Sequence, residues 1–171
     1  MKPRVLILMG SDSDWEVMAE AKKALDDMGV CCEVHVSSAH RTPERTGRLA
    51  REASGKGIEV IICGAGAAAH LAGVVAAETE LPVLGVPLAS SDLRGLDALL
   101  ATAQMPGGVP VGTLGIGKAG ARNAGLLAAR ILGRSDGAFA SKVREQRETM
   151  AREVEAKDVA LQARLAGLEK K

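Results

Sequence analysis

Apolar residues along this chain fall into two kinds of block. Short continuous runs occur at Arg4–Met9, Cys31–Ser37, Ile58–Cys63, Pro82–Val86 and Val111–Ile116. V-L-I-L-M and V-I-I-C contain no alternating polar positions, as strands buried on both faces require. Between the runs, apolar residues recur at helical spacing. Over 14–28, Val17, Met18, Ala21, Leu25 and Met28 share one face, and Gly29 is placed to end the helix. In T-P-E-R, Thr42 suits an N-cap and Pro43 the first helical position, predicting a helix to about residue 54. Further helices are predicted over roughly 68–79, 95–104 and 119–132. Five alternations of strand and helix predict an α/β fold, a parallel five-stranded sheet covered on both faces.

The pattern changes after Gly133. Residues 141–168 are charged, with Val143, Met150, Val154, Leu161, Leu165 and Leu168 at mixed spacings of three, four and seven. They form an amphipathic helix whose stripe is interrupted at Lys157 and Asp158. Two destinations stay open for it, its own domain or a neighbouring subunit. The chain therefore divides into an α/β unit, 1–133, and a helical extension, 134–171.

Composition narrows the partners. At 171 residues the chain suffices for one domain with a substantial core. Its 22 basic and 21 acidic residues leave a formal charge of +1, without the basic excess of a nucleic-acid or membrane-surface binder. Trp15 and Phe139 are its only large aromatics, so base-stacking platforms are missing. A small-molecule partner is expected, with neither nucleic acid nor membrane. The alanine-rich stretch around 65–77 is broken by His70 and two glycines and is too short to span a bilayer. M-K-P-R-V-L-I-L-M-G is expected to be a first strand and not a signal peptide. Cys31, Cys32 and Cys63 lack C-x-x-C spacing and read as buried small hydrophobes, suiting a reducing, cytoplasmic compartment.

In an open α/β sheet, ligands bind beyond the carboxyl ends of the strands, so those stretches carry the candidate chemistry. After the first strand comes M-G-S-D-S-D-W: Gly10 permits a tight turn, and Ser11 and Ser13 bring hydroxyls to a helix start where a phosphate fits. Asp14 suits a ribose diol better than a phosphate; Ser13 or Asp14 serves equally as a helix cap. After the second strand comes S-S-A-H-R-T-P. Arg41 beside a helix start makes an anion site, and the same positive surroundings favour a neutral His40, available as a base. The alternative is a structural histidine bonded to backbone.

After the third strand comes C-G-A-G-A-A-A-H-L-A-G. Gly64 and Gly66 free the backbone to approach a ligand, and His70 either orients that ligand or is a buried structural side chain. His35, mid-strand, is expected to be structural. G-I-G-K-A-G matches G-x-G-x-x-G at Gly115, Gly117 and Gly120, but on the last strand, with no following βα unit. It reads as a tight loop at the same crevice, not a dinucleotide fingerprint. The histidines and cysteines have no metal-ligand spacing.

M-G-S-D-S-D-W, S-A-H-R-T-P, G-A-G-A-A-A-H-L-A-G, P-V-L-G-V-P, Q-M-P-G-G-V-P-V-G-T-L and I-G-K-A-G-A-R-N-A, in this order over residues 4–133, resemble the N5-carboxyaminoimidazole ribonucleotide mutases. These are catalytic subunits of 5-aminoimidazole ribonucleotide carboxylation in purine biosynthesis. The resemblance implies a flavodoxin-like three-layer sandwich and a homo-octamer whose C-terminal helices contact neighbours. It implies an isomerase without metal, ATP or organic cofactor, which moves a carboxylate from an exocyclic nitrogen to the adjacent ring carbon through carbon dioxide held in a closed pocket. The family's general acid/base falls on His40. Its phosphate and ribose contacts fall on Ser11, Ser13, Asp14, Ser38 and Arg41, and its carboxylate loop on Gly64, Ala65, Gly66 and His70. Coupling to the ATP-dependent synthetase that makes the substrate is a further implied partnership.

The chain departs from the usual family pattern where Ala67 replaces a glycine and Ala72 a proline, and in A-S-S-D-L-R-G-L-D, where Asp92 and Arg94 have no assigned role. Direct carboxylases of the same family resemble G-R-S-N in the third loop and S-A-H-K-T in the second. G-A-G-A-A-A-H and S-A-H-R-T favour the mutase. From another class, a non-catalytic nucleotide-binding module would need Arg41 but not His40.

Overall fold

The computed structural model describes residues 2–168. Five parallel strands, β1 (Val5–Met9), β2 (Cys32–Val36), β3 (Val60–Gly66), β4 (Val83–Leu88) and β5 (Gly112–Thr113), lie in the order β2-β1-β3-β4-β5. Helices α1 (Trp15–Asp27) and α5 (Gly117–Leu132) cover one face; α2 (Pro43–Ala53), α3 (Leu71–Ala76) and α4 (Leu96–Ala103) cover the other. This is the expected flavodoxin-like three-layer sandwich. Strand parity explains the continuous apolar runs. Val5, Ile7 and Met9 pack toward α1 and α5, while Leu6 and Leu8 pack beneath α2 and α3, so both sides of each central strand are buried.

The end of α1 follows its chemistry. Gly29, at φ 72°, turns the chain into the left-handed region. Its N–H donates to Asp26 and that of Val30 to Leu25, which occupies two of the helix's last carbonyls. The buried face is Met18, Ala21, Ala24, Leu25 and Met28, with Val17 only partly covered.

Several boundaries differ from expectation. β3 runs on to Gly66, because Ala65 and Gly66 pair with Pro87 and Leu88 of β4. β5 shrinks from the expected 111–116 to two residues, since its register with β4 contains only Gly112 and Thr113. α3 covers 71–76 and not 68–79; its start is delayed because Ala69 takes a left-handed backbone angle that a right-handed helix does not accommodate. Thr42 precedes α2, but its hydroxyl does not cap the helix. It accepts the Ser38 N–H and donates to the Ser38 carbonyl, both at 3.0 Å, closing the turn before the helix.

The last helix, α6 (Gly137–Leu168), is one continuous element, and residues 169–171 of the predicted extension lie outside the described residues. Phe139 and Val143 at its start pack on the core. Arg4 holds the helix start, with Nη1 2.7 Å from Asp136, Nε 2.5 Å from Glu59, and its guanidinium over the Phe139 ring. Further along, Met150, Val154, Leu161, Leu165 and Leu168 are exposed, so the helix does not lay its apolar stripe on its own domain. Among the described residues no helix is long and apolar enough to cross a membrane.

Candidate active site at the carboxyl ends of the strands

From β1 the chain moves outward to β2 and then returns to place β3 on the other side of β1. The connections after β1 and β3 therefore leave over opposite faces of the sheet and open a crevice between them. A cleft of about 370 Å³ occupies that position, floored by the ends of β1, β2, β3 and β4. Every predicted site residue lines it except Gly64. A Cβ on Gly64 would lie 2.4 Å from the Met18 sulfur, so this glycine lets α1 approach β3 and does not face the cleft.

The turn after β1 is held by its own side chains. The Ser11 hydroxyl accepts the Ser13 N–H and the Ser13 hydroxyl, while Asp14 Oδ2 accepts the Ser11 N–H at 3.0 Å. This reciprocal cap belongs to a short 3-10 turn, Asp12–Asp14, ahead of α1. Ser11 is thus the N-cap of that turn and Asp14 its reciprocal side-chain partner; Asp14 also stands at the N-cap position of α1. Burial pushes the Asp14 carboxyl above the ordinary carboxylate range, opposed by the N–H groups of Ser11 and Gly10 and, more weakly, by the Arg41 charge.

The turn after β2 is anchored from below. Ser37 and Thr46, both buried, bond through their hydroxyls at 2.8 Å, and the Ser37 N–H donates to Met9. That seats the start of α2 on the end of the sheet. Above it, Arg41 donates Nη2 to the Gly10 carbonyl at 2.8 Å and its backbone N–H to the Ser38 hydroxyl at 3.2 Å. The guanidinium is thereby pinned across the mouth of β1, with the rest of its fork open to the cleft. His40, beside it, is exposed.

The connection after β3 brings His70 to His40. Nε2 of His40 lies 2.7 Å from Nδ1 of His70, and the rings meet edge to face with centroids 4.8 Å apart. His70 is exposed, not the buried structural histidine that was one of its two expected states. Gly66 admits its neighbour closely: a Cβ there would fall 1.8 Å from the Ser90 hydroxyl. Ala67 and Ala69 sit at φ 51° and 45°, and left-handed backbone costs an alanine about 1–2 kcal/mol. Ala67 stands where the family pattern has glycine, and its side chain is exposed. Ala67→Gly is therefore expected to stabilise the fold by up to ~1 kcal/mol, the strain relieved exceeding glycine's extra chain entropy. Urea titration checks this; an unchanged or lowered midpoint would show that the loop holds no strain at Ala67.

Ser90, at the end of β4, was not singled out from the sequence although it lines the cleft. The strand-end rule points to it as directly as to Ser38. Asp92 and Arg94 do not line the cleft; Arg94, at φ 51°, shapes the turn into α4 together with Gly95. G-I-G-K-A-G does not reach the crevice either. A Cβ on Gly120 would lie 1.6 Å from the Gly115 carbonyl oxygen, so these glycines permit a close turn into α5. His35 pairs with Glu33 at 2.5 Å on β2, away from the cleft, in keeping with a structural place. Among the described residues, no group of three or more His, Cys, Asp or Glu side chains is arranged to hold a metal ion.

The chain is similar to known proteins along most of its length. A protein of Mycobacterium tuberculosis named N5-carboxyaminoimidazole ribonucleotide mutase is 54% identical, over 97% of this chain and 94% of its own. One of Bacillus subtilis with the same name is 57% identical, over 86% of this chain and 91% of its own. The crystal structure of Treponema denticola PurE superposes with a TM-score of 0.85 at 28% identity, covering 94% of this chain and 99% of that one. The family model described as AIR carboxylase matches residues 4–153, and the chain belongs to that family.

Proposed function

We propose that this enzyme is an N5-carboxyaminoimidazole ribonucleotide mutase, acting in the de novo purine pathway. The observation that carries this is a single cleft that joins a pinned arginine to a histidine able to move a proton, in a chain more than half identical to relatives bearing that name. Arg41, Ser11, Ser13 and Ser38 take the substrate phosphate, and Asp14 takes the ribose diol. Ala65, Gly66 and His70 face the carboxylate. His40 delivers a proton to the nitrogen side as the N–C bond to the carboxylate breaks. Carbon dioxide stays in the cleft, the adjacent ring carbon attacks it, and His40 removes the proton from that carbon. The proton count closes, and confinement makes recapture effectively unimolecular.

Retaining carbon dioxide requires a closed site, yet in one chain His40, Arg41 and His70 are exposed. Neighbouring subunits supply the closure in this reading. The unpartnered stripe of α6 supports such assembly, and we infer a homo-octamer in which residues 134–171 contact other copies. Sedimentation of the intact protein checks this, and a monomer at micromolar concentration would sink it. The reaction takes place in the cytoplasm and needs no cofactor. Functional coupling to the ATP-dependent synthetase follows from the instability of an N-carboxylated substrate.

The family's description as AIR carboxylase favours one second reading, direct carboxylation of 5-aminoimidazole ribonucleotide. Two reactions separate them. Purified protein with N5-carboxyaminoimidazole ribonucleotide, without ATP, metal or bicarbonate, is expected to form the C-carboxylated product rapidly. Protein with 5-aminoimidazole ribonucleotide is expected to need very high bicarbonate. Product in the second reaction alone, at modest bicarbonate, would make the chain a direct carboxylase.

A further inference from the structure

We propose that His70 is a positioning residue for His40, the two rings forming one unit that carries a single transferable proton. This rests on the mutase reading, which assigns the proton transfers to His40. The bond between Nε2 of His40 and Nδ1 of His70, 2.7 Å long, joins two nitrogens that each donate or accept according to where the proton sits. With no excess proton, the bond ties the two tautomers together. If His40 bears hydrogen on Nε2, His70 must leave Nδ1 bare; if His70 bears it on Nδ1, His40 must leave Nε2 bare. With one excess proton the bond persists and strengthens, a charged donor facing a neutral acceptor. With two, N–H faces N–H and the bond is lost. The closed pair therefore holds one excess proton at most.

That arrangement matches the chemistry. A general acid at His40 is the imidazolium, with hydrogen on both ring nitrogens; Nδ1 of His70 accepts the one on Nε2, which leaves the Nδ1 hydrogen as the transferable one. When that proton passes to the substrate, His40 keeps hydrogen on Nε2, still bonded to His70, and offers a bare Nδ1. When the ring carbon loses its proton, Nδ1 takes it back. His70 keeps its own hydrogen on Nε2 throughout. Its contribution is to aim the His40 ring and to select which nitrogen transfers. The edge-to-face geometry fits, since one ring presents a nitrogen in its plane to the other. Other charged groups lining the cleft are themselves engaged, Arg41 on the Gly10 carbonyl and Asp14 on the Ser11 N–H. His70 stands on the connection after β3 and His40 on that after β2, so only the folded sheet brings the rings together.

The chain has three histidines, which makes ring nitrogens simple to assign by nitrogen-15 NMR. In the substrate-free protein, His70→Leu is expected to change the ring-nitrogen pattern of His40 and leave that of His35, which is bonded to Glu33, unmoved. His70→Asn, whose amide reaches the place of Nδ1, should restore part of the wild-type pattern. In turnover, His70→Leu should lower kcat ~10-fold or more, with a smaller change in KM and partial recovery in His70→Asn. Both side chains are exposed, so the fold should survive, and circular dichroism checks that. Unchanged His40 nitrogens in His70→Leu would overturn the proposal and leave His70 as a substrate contact at most. A His40 response to His70→Leu, beside a wild-type protein that turns over neither substrate, would uphold the coupling and remove the mutase reading instead.

Discussion

His40→Asn is expected to abolish measurable turnover, by about a hundred- to ten-thousand-fold, while substrate affinity changes only a few-fold. Asparagine keeps the polar volume and one nitrogen of the ring but has no titratable proton at neutral pH. The contacts assigned to phosphate and ribose belong to other residues. Arg41 is fixed by the Gly10 carbonyl and the β1 turn by its own reciprocal cap, and neither depends on His40. Binding should therefore survive the loss of the proton carrier. Calorimetric titration with the product, run beside the turnover assay, separates the possibilities. Lost affinity in a folded variant would make His40 a ligand contact. Retained turnover would move the proton transfers to another group, with His70 the first to test because it lies in bonding contact.

Gly120→Ala is expected to destabilise the protein by about 3 kcal/mol, among the larger effects of one added methyl group. The new Cβ would lie 1.6 Å from the Gly115 carbonyl oxygen and 2.5 Å from its carbon. These are backbone atoms, so no rotamer relieves the contact, and the turn into α5 must shift. Alanine's better helix propensity returns only ~1 kcal/mol. α5 supplies Ala121, Ala124, Ala128, Ala129 and Leu132 to the core beneath one face of the sheet, so a displaced start disturbs the whole layer. For a chain of this size the expected fall in midpoint temperature is about 6–12 °C. A midpoint unchanged within one or two degrees would mean that the turn has slack that the close Gly115–Gly120 approach does not reveal. Gly117→Ala is a contrasting case: nothing lies near its Cβ, but its φ of 75° disfavours any side chain, so its cost is conformational and smaller.

Much of the site was legible because it lies on local signals. Ser11, Asp14, Ser38, His40 and Arg41 sit directly after the first two predicted strands, and the rule of strand ends selects them without knowledge of the sheet order. Ser90 obeys the same rule, but A-S-S-D-L-R-G-L-D departs from the family pattern and gives no second signal for it. Gly64 was misplaced for a different cause. A glycine at a strand end signals close approach, but not what approaches, and here it is Met18 and not a ligand. Ser37 and Thr46 gave no signal at all, since a buried hydroxyl pair looks in sequence like any serine and threonine.

Periodicity and composition by themselves determined the α/β class, the buried faces of β1 and α1, the end of α1 at Gly29 and the amphipathic last helix. These depend on neighbours within a turn or two of chain, where side-chain spacing states which face is apolar. Tertiary structure alone decided the rest. β5 kept two residues because ladder length depends on a partner strand. α6 left its apolar stripe exposed because its own core was already covered by α1 and α5. His40 met His70 because the order β2-β1-β3 brings together loops 30 residues apart. Contacts of that kind arise from sheet order and packing, and no local pattern of residues encodes them.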